Sequence, residues 1–225
     1  MRRLGLIAAI VILALLAGGS YTALAGASVY QDLDGGRQAL VSAQASMAAA
    51  ARTGDLAELG NAAAQLKLAE RHFDDARSRS SSDQALRLVG RVPGAGRQLA
   101  ASTHLAAIGA DMSRAGQAAA EVAIQVAALK QKYASRALTP ADLQAALREA
   151  QVIASTYSAS IQAITQQLRA AHAERAQVDT AGLVGPLKDA YDAVDRALAE
   201  ADTSFRRYQD VRQVLSDFLG VQLPA

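Results

Sequence analysis

The chain has 225 residues, of which 54 are alanine, whereas aromatic residues make up 4% and tryptophan is absent. Alanine is the strongest helix former, and β-rich folds favour branched and aromatic residues, so this composition argues against a β-sandwich or a doubly wound sheet. The sequence contains no cysteine, which excludes disulfides, thiolate metal sites and cysteine nucleophiles.

The net charge of +2 is carried by Arg2 and Arg3, because the remaining basic and acidic residues are equal in number and interspersed. Nucleic-acid binders usually show a basic stripe that neutralises phosphates, and often aromatic residues that stack on bases. Neither feature is visible here, so we expect no nucleic-acid partner.

An uncharged run of 28 residues, 4–31, follows the two arginines directly. About 20 mostly apolar residues suffice to span a bilayer, so the run predicts a transmembrane signal anchor over residues 4–30. Arg2 and Arg3 favour an inside N-terminus, leaving residues 1–3 as a cytoplasmic tail and 31–225 outside the cytoplasm. The alternative is a signal peptide cleaved near Ala25, which would release a secreted protein.

Apolar residues then recur at alternating steps of three and four. The three long series run from Leu105 to Tyr133, from Leu143 to Ala171 and from Leu187 to Leu215. Such spacing keeps one face of a helix apolar and is typical of coiled-coil-like packing. We expect helices at about 31–52, 55–77, 83–91, 97–134, 140–176 and 186–219, with a kink or fraying at Gly35-Gly36.

Turn-forming residues separate these helices. The polar stretch 78–83 predicts a linker, and the residues that we assign to the other turns and helix starts are Pro93, Gly94, Gly96, Thr139, Pro140, Gly182 and Pro186. Short turns between helices of similar length imply antiparallel neighbours. The predicted fold is therefore all-α: an N-terminal transmembrane helix followed by an elongated antiparallel helical bundle with coiled-coil-like heptad packing.

Candidate chemical groups are sparse. His72, His104 and His172 lie far apart in the sequence, and only His72 has an acidic residue, Asp75, one helical turn away as a second metal ligand. A solvated helix face over residues 70–75 is the preferred interpretation. The carboxylate pairs Asp74/Asp75 and Asp189/Asp192 are interpreted as solubilising charges.

The arginines near turns or helix ends are Arg91, Arg97, Arg206 and Arg207. One interpretation is that they bind an anionic polymer or a lipid headgroup. The favoured interpretation is that they belong to a solvated helix face. We expect no catalytic residue, no bound cofactor and no metal, and hence a protein that is not an enzyme.

Three stretches carry a family resemblance: residues 86–99 with the turn from Pro93 to Gly96, residues 178–187, and the ending Phe218-Leu219-Gly220. Together with the anchor and residues 30–40 they resemble the N-terminal membrane-anchor and helical region of a bacterial membrane family, domain of unknown function 4012. The C-terminal globular domain of that family, which opens with a Gly-x-Arg-x-Tyr-Leu segment, is expected to be lacking. The resemblance implies an anchor and a helical stalk in the cell envelope, sometimes encoded beside exopolysaccharide genes, and it supplies no catalytic residues.

The expected function is that of a non-enzymatic, single-pass protein of the bacterial cytoplasmic membrane whose bundle is a stalk, spacer or assembly surface. Its expected partners are the lipid bilayer, through residues 4–30, and an envelope protein or a second copy of the chain, through the heptad stripes. Two alternatives stay open: a helical sensor-type domain that binds a ligand, and an accessory to envelope polysaccharide processing or export.

Overall fold

The structure, a computed structural model, describes residues 2–134, 139–183 and 185–219. Side chains are described from residue 27 to residue 206 within these ranges, apart from those of Ala85, Val89, Pro93, Ala134, Pro186 and Ser204. The described ranges contain helices joined by turns and no strand, which confirms the all-α fold. The helices are α1 (Arg2–Thr53), α2 (Leu56–Ser82), α3 (Gln84–Val89), α4 (Pro93–Ala134), α5 (Pro140–Thr156), α6 (Ser158–Gln177) and α7 (Pro186–Leu219).

The first long helices pack side by side and antiparallel. Two buried clusters join α1, α2 and α4: the first contains Val29, Ala76 and Ala106, and the second contains Ala43, Leu66 and Ala120. From the first cluster to the second, residue numbers rise along α1, fall along α2 and rise again along α4. Each of these helices therefore runs opposite to its neighbour.

Helices α6 and α7 continue the same alternation beyond α4. His104 near the start of α4 contacts Glu174 near the end of α6, whereas Glu121 contacts Ser160 near the start of α6. The main apolar core lies where α4, α6 and α7 meet, and its buried residues are Ala101, Leu105, Ile108, Ala115, Leu168, Ala171, Val178 and Leu198.

Phe73 of α2 lies between α1 and α4 where both helices present a glycine. A Cβ atom at Gly36 or at Gly109 would come within 2.7 Å of the Phe73 ring, closer than carbon atoms approach. The neighbouring His72 packs against Gly35 in the same way, at 3.1 Å from a Cβ at that position. The fraying predicted at Gly35-Gly36 does not occur, because the glycines make room for α2 while α1 continues unbroken through them.

The predicted linker at residues 78–83 is also wrong, because α2 extends to Ser82. The serine hydroxyls donate to carbonyls of their own helix: Ser80 Oγ to Ala76 O and Ser82 Oγ to Ser78 O, each at 2.7 Å. Serine favours turns when its hydroxyl competes for backbone groups, whereas here these bonds are made within the helix.

The turn predicted from Pro93 to Gly96 lies a few residues earlier. The turn occupies residues 90–92, and α4 already begins at Pro93, a residue suited to the first helical position because it has no N–H to satisfy. Gly94 and Gly96 therefore belong to α4. Gly96 is required there, because a Cβ atom at this position would collide with the carbonyl of Gly90.

The single helix predicted at 140–176 is divided at Tyr157 into α5 and α6. Ser155 Oγ donates to Val152 O and Ser158 Oγ donates to Ser155 O, each at 2.9 Å, on either side of a tyrosine with φ −98° and ψ 16°. Hydroxyl bonds to nearby carbonyls compete with the helical pattern and bend it.

The remaining assigned turn residues lie at helix ends. Thr139 caps α5 in a capping box with Asp142, and Pro140 is the first residue of that helix. Gly182 has a φ of +89° in the turn between α6 and α7, a conformation that suits glycine. Pro186 begins α7, which ends at Leu219.

The heptad stripes are buried only over part of their length. Leu105 and Ile108 lie in the core, whereas Val126 on the same stripe and Leu143 on the next are each 51% exposed. Within the described residues, no helix is at once long enough and apolar enough to cross a bilayer. The structure does not describe the side chains of residues up to 26. These residues include Arg2, Arg3 and most of the predicted membrane segment.

Replacing Gly109 by alanine tests the packing around Phe73. The added methyl group overlaps the ring, so we expect the free energy of unfolding to fall by about 1–3 kcal/mol. Gly60→Ala is the matched control, because Gly60 lies inside α2 with open space beyond it, and alanine there should raise stability by up to about 1 kcal/mol. Chemical denaturation of both variants measures the two effects, and equal effects would contradict the packing argument.

Candidate functional site

An open groove of about 690 Å³ lies between α2, α4 and α6. Small side chains line most of it, namely Ala63, Ala64, Ala118, Ala159 and Ala163. Four polar residues complete the lining: Lys67, Gln117, Glu121 and Ser160. The groove forms because alanines on three adjacent helices leave space that larger residues would fill.

Three of the four polar lining residues are hydrogen-bonded to a neighbouring helix. Ser160 Oγ donates to Glu121 Oε2 at 3.0 Å, which joins α6 to α4. Gln117 Nε2 donates to Glu70 Oε2 at 2.8 Å, which joins α4 to α2. The groove therefore has a carboxylate on one side and the Lys67 side chain on another.

An ionic cluster centred on Arg114 adjoins the groove. Arg114 Nε donates to Glu70 Oε1 at 2.7 Å, and its Nη2 donates to both oxygens of Asp74 at 2.8 and 2.9 Å. A third carboxylate, that of Asp111, accepts from Arg114 Nη1 at 3.2 Å. The guanidinium thus holds carboxylates of both α2 and α4, a geometry suited to its planar fork of donors.

Within this cluster, the pKa values of Glu70 and Asp111 are shifted in opposite directions. Desolvation acts to raise the pKa of Glu70, but the hydrogen bonds from Gln117 and Arg114 outweigh it, so that pKa lies below its ordinary value of 4.5. Burial raises the pKa of Asp111 above its ordinary value of 3.8, and the charge of Arg114 offsets only part of this.

Desolvation acts to lower the pKa of Arg114, but the hydrogen bonds that it donates to Glu70 and Asp74 outweigh this, so that pKa is raised. Carboxyl groups with divergent pKa values are typical of acid–base catalysis when both face a substrate cleft. Neither Glu70 nor Asp111 lines the groove, and both bind Arg114. The arrangement therefore cross-links α2 and α4.

Each histidine lies near a carboxylate on an adjacent helix. His104 Nδ1 is 2.7 Å from Glu174 Oε2, and His172 Nε2 is 2.9 Å from Asp202 Oδ2. His72 Nδ1 is 4.0 Å from Asp32 Oδ1 of α1, so the acidic group that the structure places beside it is not Asp75. Among the residues described, no group of three or more potential ligands is arranged to hold a metal ion.

Within the predicted solvated face of residues 70–75, Glu70 and Asp74 both bind Arg114, and their side chains are 25% and 45% exposed. Asp74 and Asp75 are therefore not an equivalent pair of surface charges. Asp192 of the other predicted pair accepts from Lys188 Nζ at 3.0 Å on the exposed side of α7.

Sequence reasoning missed Asp111, Arg114 and the role of Glu70. Its available signal was the spacing: Glu70 and Asp74 lie four residues apart on α2, and Asp111 and Arg114 lie three apart on α4, so each pair shares a helix face. The register between the two helices, which brings the pairs together, is set by tertiary packing.

Comparison of the chain with protein-family models, curated proteins and solved structures gives no match.

The opposite pKa shifts predict opposite pH dependences for two variants. The lowered pKa of Glu70 means that its stabilising effect is present above pH 4.5 and is lost as the pH falls through the folded-state pKa. Glu70→Gln should therefore destabilise the protein at neutral pH, by about 1 kcal/mol, and by progressively less below pH 4.5.

The raised pKa of Asp111 means that ionising this group costs stability as the pH rises above 3.8. Asp111→Asn should therefore gain stability relative to the parent chain as the pH rises through that range. Urea denaturation of the parent and both variants across pH 3–7 measures this; parallel pH profiles for the two variants would contradict the assignment.

Proposed function

We propose that this chain is a non-enzymatic, single-pass protein of the bacterial cell envelope, with its N-terminus inside and its helical bundle outside the cytoplasm as a stalk, spacer or assembly surface. In this proposal the heptad stripes give coiled-coil-like packing within an elongated bundle. The resemblance to the domain of unknown function 4012 family belongs to the same proposal and is consistent with an anchor followed by helices.

The observation that carries the proposal is the continuity of α1. This helix runs without interruption from Arg2 to Thr53, so that the apolar residues 4–25 and the bundle-forming residues from Val29 onward belong to one continuous helix. A segment inserted in a bilayer would thereby fix the bundle directly, without a flexible linker. Such a connection suits a protein that holds its outer part at a set height above the membrane.

The use of charge in the bundle gives further support. The carboxylates near Arg114 bind that one guanidinium, and His104 and His172 each contact a carboxylate of the next helix. These charged groups therefore join one helix to another. An extended assembly of alanine-rich helices needs such contacts, because alanine buries little area per residue.

Membrane extraction and thiol labelling test this function. The chain has no cysteine, so Ser81→Cys, at an exposed position of α2, creates a unique label. We expect the full chain to stay in the membrane after alkaline carbonate treatment, and a membrane-impermeant maleimide to label Ser81→Cys in intact spheroplasts. Release by carbonate, or labelling only after lysis, would overturn the proposal.

The groove favours a second candidate function, the binding of a small ligand between helices. Lys67 and Glu121 supply opposite charges to one alanine-lined space, which suits a zwitterionic compound such as a free amino acid. A sensor-type domain would use such a site, since occupation of the groove would tie α2 to α6.

Thermal melting in a panel of amino acids tests this candidate. A bound compound should raise the Tm of the parent chain by about 2–4 °C for each kcal/mol that binding adds to the free energy of unfolding at the ligand concentration used. Ala159→Leu, which fills the groove, should abolish that shift, whereas Ala48→Leu on the exposed side of α1 should retain it. The absence of a shift across the panel would count against a zwitterion site.

A further inference from the structure

Helix α3 and the turn after it lie at the end of the bundle from which the N-terminal part of α1 extends. The short helix is held there by Leu86, which is 4% exposed and shares a buried cluster with Val29 of α1, Ala76 of α2 and Ala106 of α4. Leu86 N–H donates to Asp83 Oδ1 at 3.2 Å, which caps the helix. The position of α3 relative to α1 is thus fixed by packing.

The outward side of this segment combines large apolar side chains with arginines. Leu88 is 62% exposed and Val92 is 55% exposed, while Arg87 and Arg91 alternate with them and are also exposed. Nearby on α1, Tyr30 is 50% exposed. Aliphatic residues, arginines and a tyrosine thus lie at a similar height along the bundle. This combination is typical of segments at a membrane–water interface, where apolar side chains contact lipid and charged ones contact headgroups and water.

The charge at this end is available to an anionic surface. Among the described residues, Arg87 and Arg91 have no carboxylate within ion-pair distance. On α1, Asp32 lies three residues after Val29; its Oδ2 is 3.0 Å from Arg79 Nε of α2, and its side chain is 16% exposed. Asp179, in the turn after α6, accepts from the N–H of Ala181.

The depth of α3 follows from helix geometry and rests on the proposed membrane anchor. Val29, which shares a buried cluster with Leu86, lies four residues beyond Ala25, and four residues of helix rise by about 6 Å. The headgroup region on each side of the hydrocarbon core is about 5–8 Å thick. Because about 20 residues span the hydrocarbon core, a span that begins at Leu4 ends near Ala25, and the last residues of the 4–30 anchor, with α3 beside them, lie at the depth of the lipid headgroups.

We propose that residues 87–92 form a second membrane contact, which binds anionic phospholipid headgroups beside the point where α1 enters the bilayer. Leu88 and Val92 insert among the headgroups, and Arg87 and Arg91 bind lipid phosphates. Two separate contacts with one membrane hold the bundle against rotation and tilting, which a single helix does not do.

Depth-dependent fluorescence in reconstituted vesicles tests this contact with the full chain. Leu88→Cys carries an environment-sensitive dye, and Val152→Cys on α5 is the matched control because both parent residues are 62% exposed. In vesicles that contain phosphatidylglycerol, lipids spin-labelled near the headgroup should quench the dye at position 88 and leave the dye at position 152 unquenched. Equal quenching at the two positions would overturn the proposal.

A third variant, Ala14→Cys, separates failure of this proposal from failure of the proposed function. Quenching at position 14 by lipids spin-labelled deep in the acyl chain reports that α1 is inserted. Insertion without quenching at position 88 overturns the second contact alone. If position 14 is not quenched, the anchor and the second contact are both wrong.

The arginines give an independent measure of headgroup binding. A basic residue near an anionic surface improves binding by about fivefold, so Arg87→Gln and Arg91→Gln should each markedly reduce quenching at position 88. Arg148→Gln, at an exposed position of α5, should leave it unchanged. Quenching that is identical in vesicles with and without phosphatidylglycerol, or that persists when both arginines are replaced, would overturn the role of anionic lipid.

Discussion

Phe73 lies between α1 and α4 because Gly36 and Gly109 leave space for its ring, and this close approach sets the spacing of the first three long helices. Gly116 receives Leu66 in a similar way further along α4. Once these contacts fix the register between α2 and α4, Arg114 falls opposite Glu70 and Asp74. The ionic cluster and the adjoining groove are thus consequences of how the glycines are placed.

Alanine shapes the rest of the interior by its small size. The fully buried positions at helix contacts are mostly alanines, among them Ala62, Ala69, Ala76, Ala106, Ala110 and Ala120. Helices that meet through alanine come close together but bury little apolar area, so other interactions must select the correct register. A partly buried arginine is suited to that task, because a shifted register would separate Arg114 of α4 from Glu70 and Asp74 of α2.

How far the sequence predicts this molecule depends on whether a feature is local. The helical class follows from composition, and Thr139, Pro140 and Pro186 lie at helix starts because capping and proline geometry are local effects. Gly35-Gly36 misled the prediction, since glycine's low helix propensity is offset here by the tertiary contact with Phe73. The Arg114 cluster needs a register between helices far apart in the chain, which spacing alone does not contain.

The division at Tyr157 gives the two halves of one apolar stripe different dynamics. Helix α6 buries Ile161, Leu168 and Ala171, whereas α5 has no buried residue. Amide hydrogens of α5 are therefore held mainly by the helix itself, and a short helix in water opens readily. The amide hydrogens of α5 should therefore exchange with solvent faster than those of α6. Tyr157 is then the boundary between a helix that opens locally and the cooperatively folded body of the protein.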